Sequence, residues 1–190
     1  MSRCPKSKGY TVVELMMALA IFSIGVTGLV ATQVVTSRTN LHAKDLAVAT
    51  QLARSWQDRL SMDANVWGGP SAWLLSNTTW LDVVEGSDAN TWILPAAVTD
   101  FGPAAGARGE FVSGANAYFC THIRLTQLLE RPGSGLIRSE VRVFWPKGPI
   151  AWSNGDPYCV AAADVADIGA DTLRFHFVYN TTVVRETPKL

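Results

Sequence analysis

The sequence predicts an α+β protein in which one long amino-terminal helix packs on a carboxyl-terminal antiparallel β-sheet. An uncharged run at residues 15–37 is followed by an amphipathic pattern at residues 38–62, and strand-like alternation fills the last third of the chain. Of the 190 residues, 48% are hydrophobic and 17% are charged. The chain can therefore bury a core, and disorder throughout is not expected.

The first half of the helix is predicted to cross a membrane. As a helix, the uncharged run would be about 35 Å long, which exceeds the ~30 Å of a hydrocarbon core. Residues 1–9 carry three basic side chains and no acid, so the positive-inside rule places the amino end in the cytoplasm. A cleaved secretory signal and a plain single-span anchor are the simpler alternatives. Neither accounts for Glu14, because a carboxylate in a membrane span costs free energy without a partner.

The second half of the helix, residues 38–62, is predicted to lay one face on a globular domain. No proline falls between Tyr10 and Met62, so one continuous helix is expected. Its apolar residues recur at helical spacing. They are Val48, Ala49, Leu52, Ala53, Trp56 and Leu60.

The globular domain is predicted at residues 63–190. Within it, residues 63–117 lack periodicity and are rich in glycine and proline, which predicts a long packed loop region. Its tryptophans are interpreted as anchors of the loops rather than as a ligand surface. They are Trp67, Trp73, Trp80 and Trp92.

Residues 118–190 are predicted to form an antiparallel sheet of at least three strands, at Tyr118–Glu130, Leu136–Pro146 and Thr172–Val184. The turn sequence at residues 131–135 joins the first two as a hairpin. The second strand alternates strictly, with four apolar residues on one side and three charged residues on the other. The apolar ones are Ile137, Val141, Val143 and Trp145, and the charged ones are Arg138, Glu140 and Arg142. In the third strand, one face carries Leu173, Phe175, Phe177 and Tyr179.

Several classes of function find no support in the sequence. Sixteen basic and sixteen acidic residues give no net charge, so direct nucleic-acid binding is not expected. No catalytic motif is present, and the cysteines and histidines lack the spacing of a metal site. His122 and His176 lie on predicted strands, where a structural role is the default. The prediction is a protein that is not an enzyme and needs no cofactor or metal.

The segment KGYTVVELMMALAIFSIGVTGLVATQ, residues 8–33, resembles the amino terminus of type IV pilins and type II secretion pseudopilins. The shared features are a basic leader that ends in Gly9, an aromatic residue at Tyr10, and Glu14 as the fifth residue after the glycine. The stretch from Ser23 to Gln33 is most similar to the V-type minor pilins and the related I-type minor pseudopilins. Tyr10 departs from the usual phenylalanine, and the kinking proline of many major pilins is absent.

The resemblance implies a pilin-like fold and a minor pilin of a type IV pilus that helps to initiate or cap pilus assembly. It implies cleavage between Gly9 and Tyr10 by a prepilin peptidase and methylation of the new Tyr10 amine, with residues 10–37 as the transmembrane and assembly helix. Glu14 would be an intersubunit assembly contact. Before assembly, the chain would be a single-pass protein of the bacterial inner membrane. After assembly, it would lie in the pilus, in the periplasm and at the cell surface.

The partners implied are other minor pilins, the major pilin, the inner-membrane assembly platform and membrane lipid. Two alternatives stay open: a minor pseudopilin of a type II secretion system, and a membrane-tethered binding module that never assembles. Glu14 and the Gly9–Tyr10 site argue against the tethered module, because an inert tether needs neither.

Two cysteines remain when Cys4 is assigned to the leader. An even number in an oxidising compartment predicts a disulfide between Cys120 and Cys159. The alternative is a pair of buried thiols.

Overall fold

The computed structural model describes residues 9–67, 91–97, 101–129, 136–148, 159 and 173–185. Its elements are helix α1 (Val12–Trp67), strands β1 (Ala104–Ala105), β2 (Phe119–Leu129), β3 (Leu136–Pro146) and β4 (Phe175–Arg185), and a short 3-10 helix (Gly114–Asn116). The four strands form one antiparallel sheet in the order β1-β2-β3-β4. The α+β, pilin-like arrangement predicted from the sequence is confirmed.

Contacts divide the chain into two compact units, Met1–Lys44 and Asp45–Leu190. In the first unit, every described side chain is exposed, and the helix is apolar over its membrane-length window. In the second unit, the rest of α1 packs on the sheet. The change falls between Lys44 and Asp45, within the stretch that follows Arg38, where the sequence turns from uniformly apolar to amphipathic.

Helix α1 ends at Trp67, five residues beyond the predicted end at Met62. Residues 63–67 contain neither glycine nor proline, and Gly68-Gly69-Pro70 follows at once in the sequence. Glycine is a poor helix former and proline disfavours helical geometry in the residue before it. The breaker sequence, rather than the loss of apolar periodicity, marks the end of the helix.

The core of the second unit lies between α1 and one face of the sheet. The buried stripe of the helix is rich in alanine, which lets the helix backbone approach the strands closely, while Trp56 and Leu60 fill the larger spaces. The stripe consists of Ala49, Ala53, Trp56, Leu60 and Ala64. It meets the apolar row that the alternation of β3 predicted, together with Phe119, Ile123 and Leu125 of β2 and Val184 of β4.

The predicted loop region contains a strand and two bridges that sequence periodicity did not indicate. Strand β1 pairs Ala104 with Cys120 and Ala105 with Phe119, and Ile93 bridges to Ile123 of β2. Two consecutive alanines carry no alternation, so a strand of this length leaves no periodic signal. Residues 68–90 and 98–100 of that region, and the predicted turn at residues 131–135, lie outside the described residues.

Strand β4 begins at Phe175, three residues after the predicted start, and its aromatic side chains do not mark its core face. Phe177 is 52% exposed and Tyr179 is 46% exposed. The opposite face carries Val178 and Val184, which pack on the core. Asn180 lies on that face too and donates a hydrogen bond of 2.7 Å from its amide to Oε1 of Gln57 on α1.

Candidate assembly segment and disulfide face

The amino-terminal end of α1 has a well-defined cap. The Thr11 hydroxyl accepts a hydrogen bond of 3.3 Å from the backbone N–H of Glu14, and the Thr11 carbonyl accepts one of 3.2 Å from the N–H of Leu15. Threonine three residues before glutamate is the sequence of a capping box. Glu14 therefore lies in the first turn, where the helix dipole favours a negative charge.

The predicted cleavage site lies just ahead of this cap. Gly9, Tyr10 and Thr11 precede the helix, and the Tyr10 side chain is 87% exposed. The peptide bond between Gly9 and Tyr10 is therefore in non-helical chain, the conformation in which a protease can bind a substrate backbone. Residues 1–8 of the predicted leader lie outside the described residues.

The helix after Glu14 presents an apolar surface on all sides. An 18-residue window has a mean hydropathy of 2.1 and is unburied in the structure, so this helix is long and apolar enough to cross a membrane. Its hydroxyl groups bond back to carbonyls of the preceding turn and need no external partner. They belong to Ser23, Thr27, Thr32 and Thr36. Between Val12 and Ser37, Glu14 is the single ionisable residue in the sequence.

Cys120 and Cys159 are joined by a disulfide, with an S–S distance of 2.07 Å and a Cα–Cα distance of 5.6 Å. Both cysteines are buried in a second, smaller cluster with Ala104, Phe144 and Phe175. This cluster lies on the face of the sheet that points away from α1, since the side chains of β2 alternate between Phe119 in one cluster and Cys120 in the other. We call it the disulfide face. The bond attaches the chain around Cys159 to β2.

His122 is buried on the disulfide face beside the bond. Its Nε2 lies 3.6 Å from Sγ of Cys120, and its ring is tilted against Phe144 with 5.3 Å between centroids. Burial, and then the positive charge of Arg142, lower the pKa of His122 to about 3. The side chain is therefore neutral at physiological pH, as the structural interpretation from the sequence expects.

The burial of His122 predicts a loss of stability in acid. Between pH 6 and 5 the unfolded chain gains a proton on this histidine and the folded chain does not, so the free energy of unfolding should fall by up to about 1.4 kcal/mol per pH unit from this group. Chemical denaturation of the full chain in detergent, followed by tryptophan fluorescence, measures the slope. His122→Gln should flatten it in this range, where most carboxylates stay ionised, and an unchanged slope would contradict the prediction.

A polar cluster on the disulfide face was not predicted from the sequence. Glu140 is buried and accepts hydrogen bonds from Nε and Nη2 of Arg124 at 2.6 and 2.9 Å, and another from the Tyr179 hydroxyl. The Trp92 ring stacks against the guanidinium groups of Arg124 and Arg142, at 4.7 and 4.1 Å. Trp92 thus anchors its loop to the sheet, the role assigned to the loop tryptophans. Trp73 and Trp80 lie outside the described residues, as does the side chain of Trp67.

Alternation along β3 predicted that Arg138, Glu140 and Arg142 form a polar row, but it did not predict that other residues cover this row. A charged row opposite a core face normally faces solvent, and what covers it here comes from residues far away in sequence. In the described parts of the chain, no group of three acidic, cysteine or histidine side chains could hold a metal ion.

Comparison with known proteins finds a match at the amino terminus. Residues 4–30 match the family model of the prokaryotic N-terminal methylation motif. No curated protein and no solved structure matches the chain. The matched segment includes Gly9, Tyr10 and Glu14, and it supports a protein of the type IV pilin or pseudopilin kind. Proteins with this motif have structural rather than catalytic roles, and the motif and the apolar helix together are consistent with membrane anchoring.

Proposed function

We propose that this chain is a minor pilin subunit of a type IV pilus that helps to initiate or cap pilus assembly. The observation that carries the proposal is the methylation motif at residues 4–30, with Glu14 in the first turn of an apolar helix whose described side chains are all exposed over residues 12–44. A soluble protein would not expose such a surface to water, and a lone lipid anchor would not keep an acid in it.

The charge changes that accompany processing fit a helix that leaves the bilayer. Removal of residues 1–9 takes away Arg3, Lys6 and Lys8, so thirteen basic side chains remain against sixteen acidic ones. The basic leader that holds the precursor at the cytoplasmic leaflet is then gone. Cleavage also creates a positive amine at Tyr10, about one helical turn from Glu14 along the axis.

The Tyr10 amine and the Glu14 carboxylate can determine how neighbouring subunits are positioned in the assembly. In lipid, an unpaired carboxylate at Glu14 costs free energy. When two helices are shifted axially by about one turn, the acid of one can pair with the amine of the next. Neutralisation of the charges is then coupled to the stagger of the subunits.

The first test is the processing step. We expect the mature chain to begin at Tyr10 with a methylated amine, cut by a prepilin peptidase on the cytoplasmic side of the membrane. The intact mass of the protein extracted from membranes measures this directly. A Gly9→Val variant is the matched control and should keep its leader. A parent chain that still begins at Met1 or Ser2 would contradict the proposal.

A minor pseudopilin of a type II secretion system is the alternative, because the motif is common to both systems. Residues 23–33 resemble both the V-type minor pilins and the related I-type minor pseudopilins, so a deletion experiment is needed to choose between the two systems. In a strain that has both systems, deletion of the gene should abolish piliation and leave secretion intact. The opposite result would assign the chain to secretion, with the processing step unchanged.

The proposed partners follow from this role. They are the other minor pilins and the major pilin in the fibre, the prepilin peptidase and the assembly platform at the inner membrane, and lipid around the helix before assembly. The protein would begin as a single-pass inner-membrane protein with a cytoplasmic amino end and finish in the pilus, beyond the membrane.

A further inference from the structure

The outer edge of strand β4 is long and regular. All eleven residues of β4, Phe175–Arg185, pair with β3 in one continuous register without a bulge. Within the described parts of the chain, β4 is the last strand of the sheet and no strand pairs with its other side. Along that side, alternate backbone N–H and C=O groups are directed away from β3.

Within the described residues, this edge lacks most of the devices that protect an edge strand, apart from the charge of Arg185 at its end. From Phe175 to Val184 the sequence contains no proline and no lysine, arginine, aspartate or glutamate. Phe177, Tyr179 and Val183 are 52%, 46% and 54% exposed, all on the disulfide face. Natural proteins normally shorten, charge or bulge such an edge, because it otherwise pairs with other chains.

The opposite edge of the sheet is covered by short pairings. There the two residues of β1 cover Phe119 and Cys120, a bridge from Ile93 covers Ile123, and a register shift interrupts β2 between Gln127 and Leu129. Within the described residues, the two edges of the sheet therefore differ, because one is covered and the other is open.

We propose that the outer edge of β4 is an interaction surface that takes an extended strand from a neighbouring subunit of the assembly, one that carries the same amino-terminal methylation motif. The nature of this partner rests on the proposed function. Main-chain hydrogen bonds along residues 177–184 supply affinity, and the exposed side chains of β4 select alternate apolar residues of the partner strand.

Charge on the disulfide face further defines the partner. Arg138 pairs across the strands with Val183, and its side chain is 40% exposed. It shares Glu140 with Arg124, which lies nearer to the carboxylate, at 2.6 Å against 3.4 Å for Arg138. Among the described residues beside the open edge, positive charge therefore exceeds negative charge. A partner strand that is apolar opposite Phe177 and acidic near Arg138 would complement it.

Photo-crosslinking in intact cells tests the proposal on the full chain. A benzophenone amino acid replaces Phe177 on the edge, and in a control chain it replaces Phe111, which is 41% exposed in the loop that follows β1. We expect an adduct from position 177 with another chain that carries the methylation motif, joined at an extended segment, and no such adduct from position 111. Peptide mass spectrometry identifies the partner and the site.

Two matched variants of the edge complete the test. Thr181→Lys places a charge on the edge beside Glu140, its cross-strand partner, so folding should be unaffected, whereas the adduct should fall by about tenfold or more. Thr181→Val keeps a strand-forming residue without charge and should crosslink like the parent. Arg138→Glu should weaken the adduct as well. The intact disulfide, measured without reductant, reports folding in each variant.

The outcomes separate this proposal from the proposed function. If the chain enters fibres but position 177 gives no adduct even in the chain with Thr181 intact, and Thr181→Lys enters fibres equally well, the edge contact is wrong and the pilin function stands. If position 177 crosslinks to an extended segment of a motif-bearing chain that is not part of a fibre, the edge contact stands and the pilus role fails. An adduct only with proteins that lack the motif overturns the choice of partner.

Discussion

Glu14→Ala should leave the precursor stable in the membrane and cleaved after Gly9, yet absent from sheared fibres or from the complex that initiates them. The variant removes the one ionisable side chain between Val12 and Ser37 and, in the proposed pairing, would leave the Tyr10 amine of a neighbour without a partner. Loss of one member of such a pair at low dielectric costs about 3 to 5 kcal/mol. A penalty of this size would reduce incorporation more than a hundredfold.

The capped helix start supplies the controls for this experiment. Glu14 is both an acid and the last of the four residues of a capping box, so its replacement could act through the cap alone. Thr11→Val removes the hydroxyl that accepts the Glu14 N–H, at a cost of about 0.5 to 2 kcal/mol of helix stability, and keeps the acid. Glu14→Gln keeps the shape and a hydrogen-bonding side chain but removes the charge.

If charge pairing drives assembly, Glu14→Ala and Glu14→Gln should both fail to assemble and Thr11→Val should succeed. Immunoblots of the sheared fraction and of the membrane fraction measure incorporation and precursor stability separately. Normal assembly of Glu14→Gln would show that the charge is not the contact. Normal assembly of Glu14→Ala would restore the membrane-tethered module as the better description.

Removal of the disulfide should produce the largest loss of folding stability. Cys120 and Cys159 are 39 positions apart in sequence, and the chain-entropy model gives about 4 kcal/mol for a loop of this length, as an upper figure. Replacement of both cysteines by serine should lower the free energy of unfolding by a few kcal/mol. The double variant avoids a free thiol, which in a single variant could form other bonds.

Chemical denaturation of the full chain with and without reductant measures this loss. Reduced parent and double-serine variant should unfold at similar denaturant concentrations, well below the oxidised parent, since both lack the crosslink. Cleavage after Gly9 should be unchanged, because the processing site and the disulfide belong to separate compact units. Equal stability of the oxidised parent and the variant would show that packing alone holds the Cys159 segment.

Much of the fold follows from local patterns in the sequence. A strand or a helix with one buried face must repeat apolar residues at period 2 or 3.6, so the sequence alone predicts the boundaries of β3 and the buried stripe of α1. The helix end was missed because apolar periodicity fades before Gly68 stops the helix. Strand β1 was missed because two alanines have no periodicity.

The assembly segment could be predicted for a different reason. Leader, glycine, aromatic residue and acid lie within a few positions of one another, so their spacing is a property of the sequence itself, and the family match at residues 4–30 covers the same stretch. The cap at Thr11 could also have been inferred from its spacing to Glu14.

The sequence alone thus determined the α+β class, the membrane-length helix, the motif around Glu14 and the core face of β3, because each depends on neighbours along the chain. Only the tertiary structure decided which residues distant in sequence come together and which stay open. Examples are the buried Glu140 under Arg124 and Tyr179, the neutral His122 beside the disulfide, and, within the described residues, the open edge of β4. Burial and pairing depend on what segments distant in sequence bring to a face. Alternation reports that a strand has two faces, and only packing decides what covers each of them.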